Sequence, residues 1–306
     1  MPSVHLLDGG RLAAQWLERL GPNPLAYALR LSFSDDSGLT WSPPVQPHHD
    51  VTLTQHGFAS LFHVPGSALG LVWLDGRAMD PEKPEGESGN MALWSATFDN
   101  AHTQTSELSI DERACDCCQT SAAVTARGAI VAYRDRSLAE VRDIVVSRFE
   151  GGRWSAPSLV HEDGWTIHGC PVNGPAIDTR GDEVVVAWFT GSPGQGRVLA
   201  AFSHDVGRSF LPPVRIDDGF PRGRVDVAMV GAGSAVVSWT ETIAGRPEFR
   251  VRRLRTDQEP DESVKVANVA GSDYPRMAAH GDELLFAWVA REEGNTRVST
   301  ARASVR

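Results

Sequence analysis

No stretch of this 306-residue chain contains the roughly 20 consecutive apolar residues that a membrane-spanning helix needs. Basic residues are in deficit: 29 Lys and Arg against 39 Asp and Glu give a formal net charge of −10. Binding nucleic acid takes a concentrated basic face, so that partner class is excluded, while a local basic pocket for a small anion is not. The opening Met1-Pro2-Ser3-Val4-His5 lacks a charged region followed by an apolar one. No signal peptide is read there, and taken literally the chain is cytosolic. No amphipathic helix competes for any long segment. Cysteine is scarce, with four residues, but three of them crowd into Cys115-Asp116-Cys117-Cys118 and the fourth is in Gly169-Cys170-Pro171.

What is present is repetition. Six short apolar runs end in an aromatic residue: 12–16, 69–73, 129–133, 184–188, 235–239 and 284–288. The closing aromatics are Trp16, Trp73, Tyr133, Trp188, Trp239 and Trp288, spaced between 49 and 60 residues apart. Runs of this length bounded by Gly or Asp read as buried strands. A turn and another short strand precede each, as Ala122-Ala123-Val124 precedes Arg127-Gly128. A polar loop and a third strand follow, and most units add a fourth, as at Pro157-Ser158-Leu159-Val160. Four short strands in each unit of about 50 residues are the mark of propeller blades. The expected fold is therefore all-β: a six-bladed β-propeller of four-stranded antiparallel blades, as one domain. The blades fall at about 1–48, 49–111, 112–162, 163–218, 219–269 and 270–306. The first and last units are incomplete, which leaves a truncated seven-bladed ring as the alternative.

A second motif sharpens the fold. Ser34-Asp35-Asp36-Ser37-Gly38-Leu39-Thr40-Trp41 fits Ser-x-Asp-x-Gly-x-Thr-Trp, Ser203–Phe210 fits with two substitutions, and a degenerate copy stands at Ser147…Gly152-Arg153-Trp154. The pattern is a hairpin turn in which Asp bonds turn amides and Gly takes a left-handed conformation. It resembles the Asp-box of the sialidase superfamily of β-propellers, and the blade pattern extends that resemblance over nearly the whole chain. Asp-boxes are structural turns, specific for fold and uninformative about activity.

Blade topology sorts residues by end. The starts of first strands and the loops from second to third strands share one end, and the Asp-box turns occupy the other. Cys117 and Cys170 are 53 residues apart, as are the turn glycines Gly128 and Gly181. They therefore occupy equivalent starts of inner strands on neighbouring blades. Aligned on Gly66, Cys118 corresponds to His56; aligned on Gly233, Cys117 corresponds to Arg222. One channel mouth should then be ringed by His56, Cys115, Cys117, Cys118, Cys170, Arg222, Arg224 and Arg276. Two residues beyond each aromatic stand Glu18, Asp75, Asp135, Thr190, Glu241 and Ala290, four of them acidic, with arginines Arg19, Arg77, Arg136 and Arg291 following. The plain reading of these is ion pairs at a solvated rim.

Three functional readings follow. The resemblance implies a sialidase-type glycoside hydrolase that clamps a substrate carboxylate with arginines and uses Tyr, activated by Glu, as nucleophile and Asp as acid/base. On that template Tyr274 is the nucleophile, Glu241 its partner, Asp75 the acid, and Arg77, Arg136, Arg222, Arg224 and Arg276 bind substrate. The Phe/Tyr-Arg-Ile-Pro segment that carries the family's first arginine is absent here. A second reading is a metal or thiol site. In an extended segment Cys115 and Cys117 point to one side and Cys118 to the other. Together with Cys170, His56 and His168 they make a soft donor set suited to copper or zinc. The third reading is a non-catalytic binding propeller with structural disulfides, most simply Cys117 or Cys115 with Cys170. Trp165 would then be a platform for a sugar ring.

The segments Cys115–Gln119, Tyr133–Arg136 and Gly169–Pro175 also resemble a bacterial subgroup of such propellers. Members often carry export signals, which implies a periplasmic or secreted location if a segment precedes this chain. The expected partner is a glycan or a similar small anionic ligand, bound by a monomer.

Overall fold

The computed structural model describes residues 2–64, 67–80, 82–83, 88–269, 274–292 and 295–305. Gly66, the turn used to align the second blade, lies outside them. Apart from one three-residue 3-10 turn at Asp8–Gly10, every regular element among the described residues is a strand. The strands form six separate antiparallel sheets in chain order, so the molecule is a six-bladed propeller.

The first sheet holds β1 (Ser3–Leu6), β2 (Leu12–Arg19) and β3 (Tyr27–Ser34), with a bridge from Leu31 to Val45 in place of a fourth strand. The second holds β4 (His56–Val64), β5 (Ser67–Asp75), β6 (Ala92–Phe98) and β7 (Gln104–Asp111). In the third, β8 (Ser121–Thr125), β9 (Gly128–Arg134) and β10 (Ile144–Glu150) are edged by the short β11 (Arg153–Trp154) and β12 (Ser158–Leu159). The fourth comprises β13 (Ala176–Arg180), β14 (Glu183–Thr190), β15 (Arg197–Ser203) and β16 (Val214–Arg215). The fifth comprises β17 (Pro221–Gly231), β18 (Ser234–Ile243), β19 (Arg246–Arg255) and β20 (Val264–Asn268). The sixth has three strands, β21 (Arg276–His280), β22 (Glu283–Glu292) and β23 (Asn295–Ser304). The first and last sheets thus fall one strand short of the expected four.

Second strands inside the ring, β14 most completely, are sandwiched between two neighbouring blades, which is why they are apolar on both faces. Val184, Val185, Val186, Ala187 and Trp188 are all fully buried, as are Trp73 and Trp239. Each such Val contributes about 1.5–3 kcal/mol as an upper estimate. At the seam between the last and first blades the covering thins. Trp16 and Trp288 are only partly buried there, and Leu6 and Val298 are exposed.

First strands face the axis. Ser3–His5, Phe58–Leu61, Thr120–Ala122, Pro175, Ala176 and Arg276 line one cavity of about 280 Å³, the axial channel. Side chains latch neighbouring blades where no ladder can cross. Asp178 accepts the Met229 amide at 2.7 Å, Asp226 accepts that of Met277 at 3.0 Å, and the Thr120 hydroxyl donates to the Phe58 carbonyl at 2.7 Å. Burial pushes the carboxyls of Asp178 and Asp226 up.

The two Ser-x-Asp-x-Gly turns share one hydrogen-bond pattern. Asp36 accepts the Thr40 amide at 2.8 Å and its hydroxyl at 2.6 Å, while Ser34 Oγ accepts the Gly38 amide at 2.8 Å. Asp205 does the same for Ser209 at 2.9 and 2.6 Å, and Ser203 Oγ accepts the Gly207 amide. Ser37 of the first turn neighbours Gly10. That contact puts the turn at the end of the ring where first strands pass into second strands, opposite the first-strand starts. No helix among the described residues is long and apolar enough to cross a membrane.

Candidate functional site

Two of the acids that stand two residues past the aromatics, Asp75 and Glu241, have a local physical cause. A buried indole N–H needs an acceptor. Trp73 Nε1 donates to Asp75 at 2.8 Å and Trp239 Nε1 to Glu241 at 2.7 Å. Where the fourth blade has Thr190 instead, Trp188 Nε1 finds Asp163 at 2.7 Å, and the Tyr133 hydroxyl finds Asp111 at 2.7 Å. The remaining lone pairs are also taken. Asp75 accepts Arg77 Nε at 2.9 Å and Nη2 at 2.7 Å, while Glu241 accepts the amides of Asp218 and Phe220 at 3.1 and 2.9 Å. Both carboxylates are fully buried. Burial pushes the Asp75 carboxyl up, but Arg77 and His56 more than offset this and hold it below the usual carboxylate range.

The second-blade histidine has company of its own. His56 Nε2 lies 2.8 Å from Asp50 and 3.6 Å from Asp75, and its Nδ1 faces the Tyr27 carbonyl at 3.1 Å. Its ring stacks on His48 with centroids 4.1 Å apart. His56 therefore groups with His48 and Asp50, not with the cysteines as the blade alignment suggested. Alignment identified an equivalent position, but the radius of the ring separates equivalent positions in space.

The cysteines do converge, by a different local geometry from the extended one expected. Asp116 and Cys117 form a turn, which breaks the strand alternation and brings the sulphurs of Cys115, Cys117 and Cys118 within 4.8 Å of one another. Cys117 is disulfide-bonded to Cys170 on the next blade, with Cα atoms 6.0 Å apart. Cys115 and Cys118 are free thiols and buried. Arg142 Nη1 lies 3.4 Å from Cys115 Sγ. A hydrogen bond from Cys118, opposed by burial and helped by the Cys117 amide and by Arg134 and Arg142, draws the Cys115 thiol down to about 7. Burial and the neighbouring Cys115 push the Cys118 thiol well up. His168 lies exposed on the loop before Cys170, outside this sulphur group.

Two residues knit the cluster to its surroundings. Arg134 is 1% exposed and donates to three carbonyls: Asn173 at 2.8 Å, Arg142 at 2.5 Å and Phe189 at 2.6 Å. It has no ion-pair partner among the described residues, and Trp165 covers it at 4.8 Å. Trp165 also meets Phe189 edge-on, so its ring is committed to packing instead of lying open to a sugar. Asn173 supplies an amide to Cys118, accepts the Arg224 amide at 3.0 Å and donates Nδ2 to the Arg222 carbonyl at 3.2 Å. The next residue must be glycine. A Cβ on Gly174 would stand 1.8 Å from the Gln119 carbonyl oxygen of the neighbouring blade.

Above these lies a cationic rim. Arg222 is exposed, and the Arg276 side chain is 63% exposed with its Nε a loose 3.6 Å from Asp226. Arg224 stacks on the Tyr274 ring at 4.0 Å and donates to both the Tyr274 hydroxyl and the Val172 carbonyl. The Tyr274 hydroxyl donates to the Val172 carbonyl at 3.1 Å, and burial pushes its pKa up despite Arg224. Val172 and Arg224 have φ of +50° and +58°. A left-handed conformation is costly for Val, about 1–3 kcal/mol, and such strain gathers at functional sites.

The structure thus brings together Cys115, Cys117, Cys118 and Cys170, and alongside them Arg222, Arg224 and Tyr274. Arg276 lines the channel mouth. Arg77 and Arg136 have other tasks. Arg77 bridges Asp75 and Glu107 and covers Trp94, while Arg136 bridges Asp116 and Glu140 at 3.0 Å each. Among the described contacts Glu241 does not touch Tyr274. Reading from sequence overlooked Arg134, Arg142 and Asn173. Arg134 and Asn173 stand inside quoted segments, and a signal for Arg134 was available: a charged residue directly continuing a buried run. The Cys-x-x-Cys spacing of Cys115 and Cys118 was likewise legible.

The chain matches no protein-family model and no curated protein. Its backbone does match solved propellers. The intramolecular trans-sialidase from Ruminococcus gnavus superposes with a TM-score of 0.60 at 11% identity, covering 100% of this chain and 94% of that one. An α-L-arabinofuranosidase of Fusarium graminearum gives 0.61 at 16% identity, covering 99% and 92%. A polysaccharide lyase acting as an ulvan lyase gives 0.58 at 10% identity, covering 98% and 79%. At these identities the likeness establishes a sialidase-like propeller fold.

Proposed function

We propose that the mouth of the propeller binds an anionic carbohydrate, its carboxylate or sulfate group held by Arg222, Arg224 and Arg276. The supporting observation is how the arginines divide. Among the described residues Arg77 and Arg136 are saturated by carboxylates, whereas Arg222 and Arg224 have none and Arg276 only a loose one. Guanidinium forks left without carboxylates at a concave mouth suit a planar oxyanion. Several solved propellers of this shape act on or are bound to glycans, which fits the reading.

Within it, the site is for recognition more than for sialidase-type hydrolysis. A nucleophile needs a base within hydrogen-bond reach. The Tyr274 hydroxyl is instead bonded to a carbonyl, Glu241 is spent on two amides and an indole, and Asp75 on Arg77 and Trp73. Calorimetric titration with sialyl and uronic-acid oligosaccharides tests this. Replacing Arg222 and Arg276 by Ala should weaken binding about 10- to 100-fold, the worth of one or two charge-assisted hydrogen bonds. Equal affinity in the double variant, or no acidic glycan bound by the parent protein, would overturn it. Turnover of a fluorogenic sialoside lost in Tyr274→Phe would restore the hydrolase reading.

A further inference from the structure

We infer that the four cysteines form an intramolecular relay, in which the buried Cys115/Cys118 dithiol exchanges with the Cys117–Cys170 disulfide at the mouth. This inference stands apart from the glycan reading and uses none of the rim arginines.

Three observations carry it. The first is proximity: three sulphurs lie within 4.8 Å of one another, and the fourth is bonded to one of them. Exchange needs a thiolate close to a disulfide sulphur, and here the turn at Asp116 and Cys117 holds them together. The second is charge. Arg142 Nη1 lies 3.4 Å from Cys115 Sγ, and the buried Arg134 has only carbonyls around it. A buried cation without an acid is costly unless some other anion accompanies it. Arg142 is itself paired with Glu140 at 2.7 Å, but Arg134 has no carboxylate among the described residues, and both cations act on Cys115, so the site favours a Cys115 thiolate. The third is access. Cys170 is exposed and Cys117 partly so, while Cys115 and Cys118 are buried. One disulfide position thus faces solvent and the other is shielded.

The exchange balances without any added oxidant. Cys115 Sγ, as thiolate, attacks Cys117 Sγ. The Cys115–Cys117 bond forms as the Cys117–Cys170 bond breaks, and Cys170 departs as a thiolate that takes up the proton Cys115 gave up. Cys118, losing its proton, then attacks Cys115 Sγ. The Cys115–Cys118 bond forms, the Cys115–Cys117 bond breaks, and Cys117 receives the proton. Two thiols and one disulfide stand on each side. The result is a shielded disulfide and two thiols at the mouth, where a low-molecular-weight disulfide can reach Cys170.

The test is disulfide mapping of the whole chain. Protein purified without reductant is held at mildly alkaline pH, quenched in acid, alkylated and digested for mass spectrometry. A fraction should carry Cys115–Cys118 with Cys117 and Cys170 both alkylated. Cys118→Ser should stop the exchange at Cys115–Cys117 with Cys170 alkylated, and Cys115→Ser should retain only Cys117–Cys170. Finding Cys117–Cys170 alone in the parent protein after long incubation would overturn the relay. So would a stoichiometric soft metal ion bound through Cys115 and Cys118, or four free thiols in the protein as purified.

Discussion

Arg134→Met offers the sharpest check on how the mouth is held together. Methionine keeps the length and the apolar stem but removes every donor. Three buried carbonyls, of Asn173, Arg142 and Phe189, then lose their partner. Each hydrogen bond to a charged group is worth about 1.5–3 kcal/mol. The bonds share one guanidinium and do not add, so the total comes to about 3–5 kcal/mol, the worth of one to two such bonds. For a chain of this size a kcal/mol corresponds to about 2 °C, so calorimetry should show melting lowered by about 6–10 °C. The loss should come with slower alkylation of Cys115, since a positive neighbour of its thiolate is gone. A variant that melts within about 2 °C of the parent would refute the reasoning. It would mean that water satisfies those carbonyls and that Arg134 is not the bolt between the third and fourth blades.

Other expectations follow from the same geometry. Gly174→Ala forces a Cβ into the Gln119 carbonyl; urea denaturation should show at least about 1–3 kcal/mol lost, and an unchanged midpoint would contradict the close approach. Asp36 and Asp205 have folded pKa values lowered to about 2: bonds from Thr40 draw the first down, and at Asp205 burial pushes upward most strongly but is outweighed by the bonds from Ser209, Ser203 and Arg208 together. Their stabilisation is complete above the unfolded value of about 3.9 and is lost as pH falls through about 2. The double replacement of both by Asn should therefore lower stability at neutral pH and leave it little changed in strong acid, read by melting across pH. Arg142→Gln should move the thiolate absorbance titration of Cys115 upward from about 7; an unmoved titration would show that Arg142 does not help to lower it.

The fold was legible because blades repeat: six apolar runs closed by an aromatic already specify six buried second strands. Ring position was legible too, since Cys117 and Cys170 on equivalent strand starts do meet. Contacts around the ring were harder. His56 aligns with Cys118 by register, yet it faces His48 and Asp50 on the segment that joins the first sheet to its own, because register says nothing of distance around the axis. The acids that follow four of the six aromatics read from sequence as ion pairs at a solvated rim. Two of them, Asp75 and Glu241, are indole acceptors, a role visible only once Trp73 and Trp239 were seen to be wholly buried. A single turn at Asp116 likewise overturned the strand alternation expected for the cysteines.

Asn173 fastens both halves of the mouth at once: its main chain meets Cys118 and Arg134, and its side chain grips the backbone of Arg222 and Arg224. If the mouth binds an acid group and the sulphurs exchange as proposed, such a shared peg would make oxidation state and ligand occupancy answerable to each other. If breaking the outer sulphur bond loosens the hold on an acid group, then an acid group in place must, by the same free energy, resist that breakage.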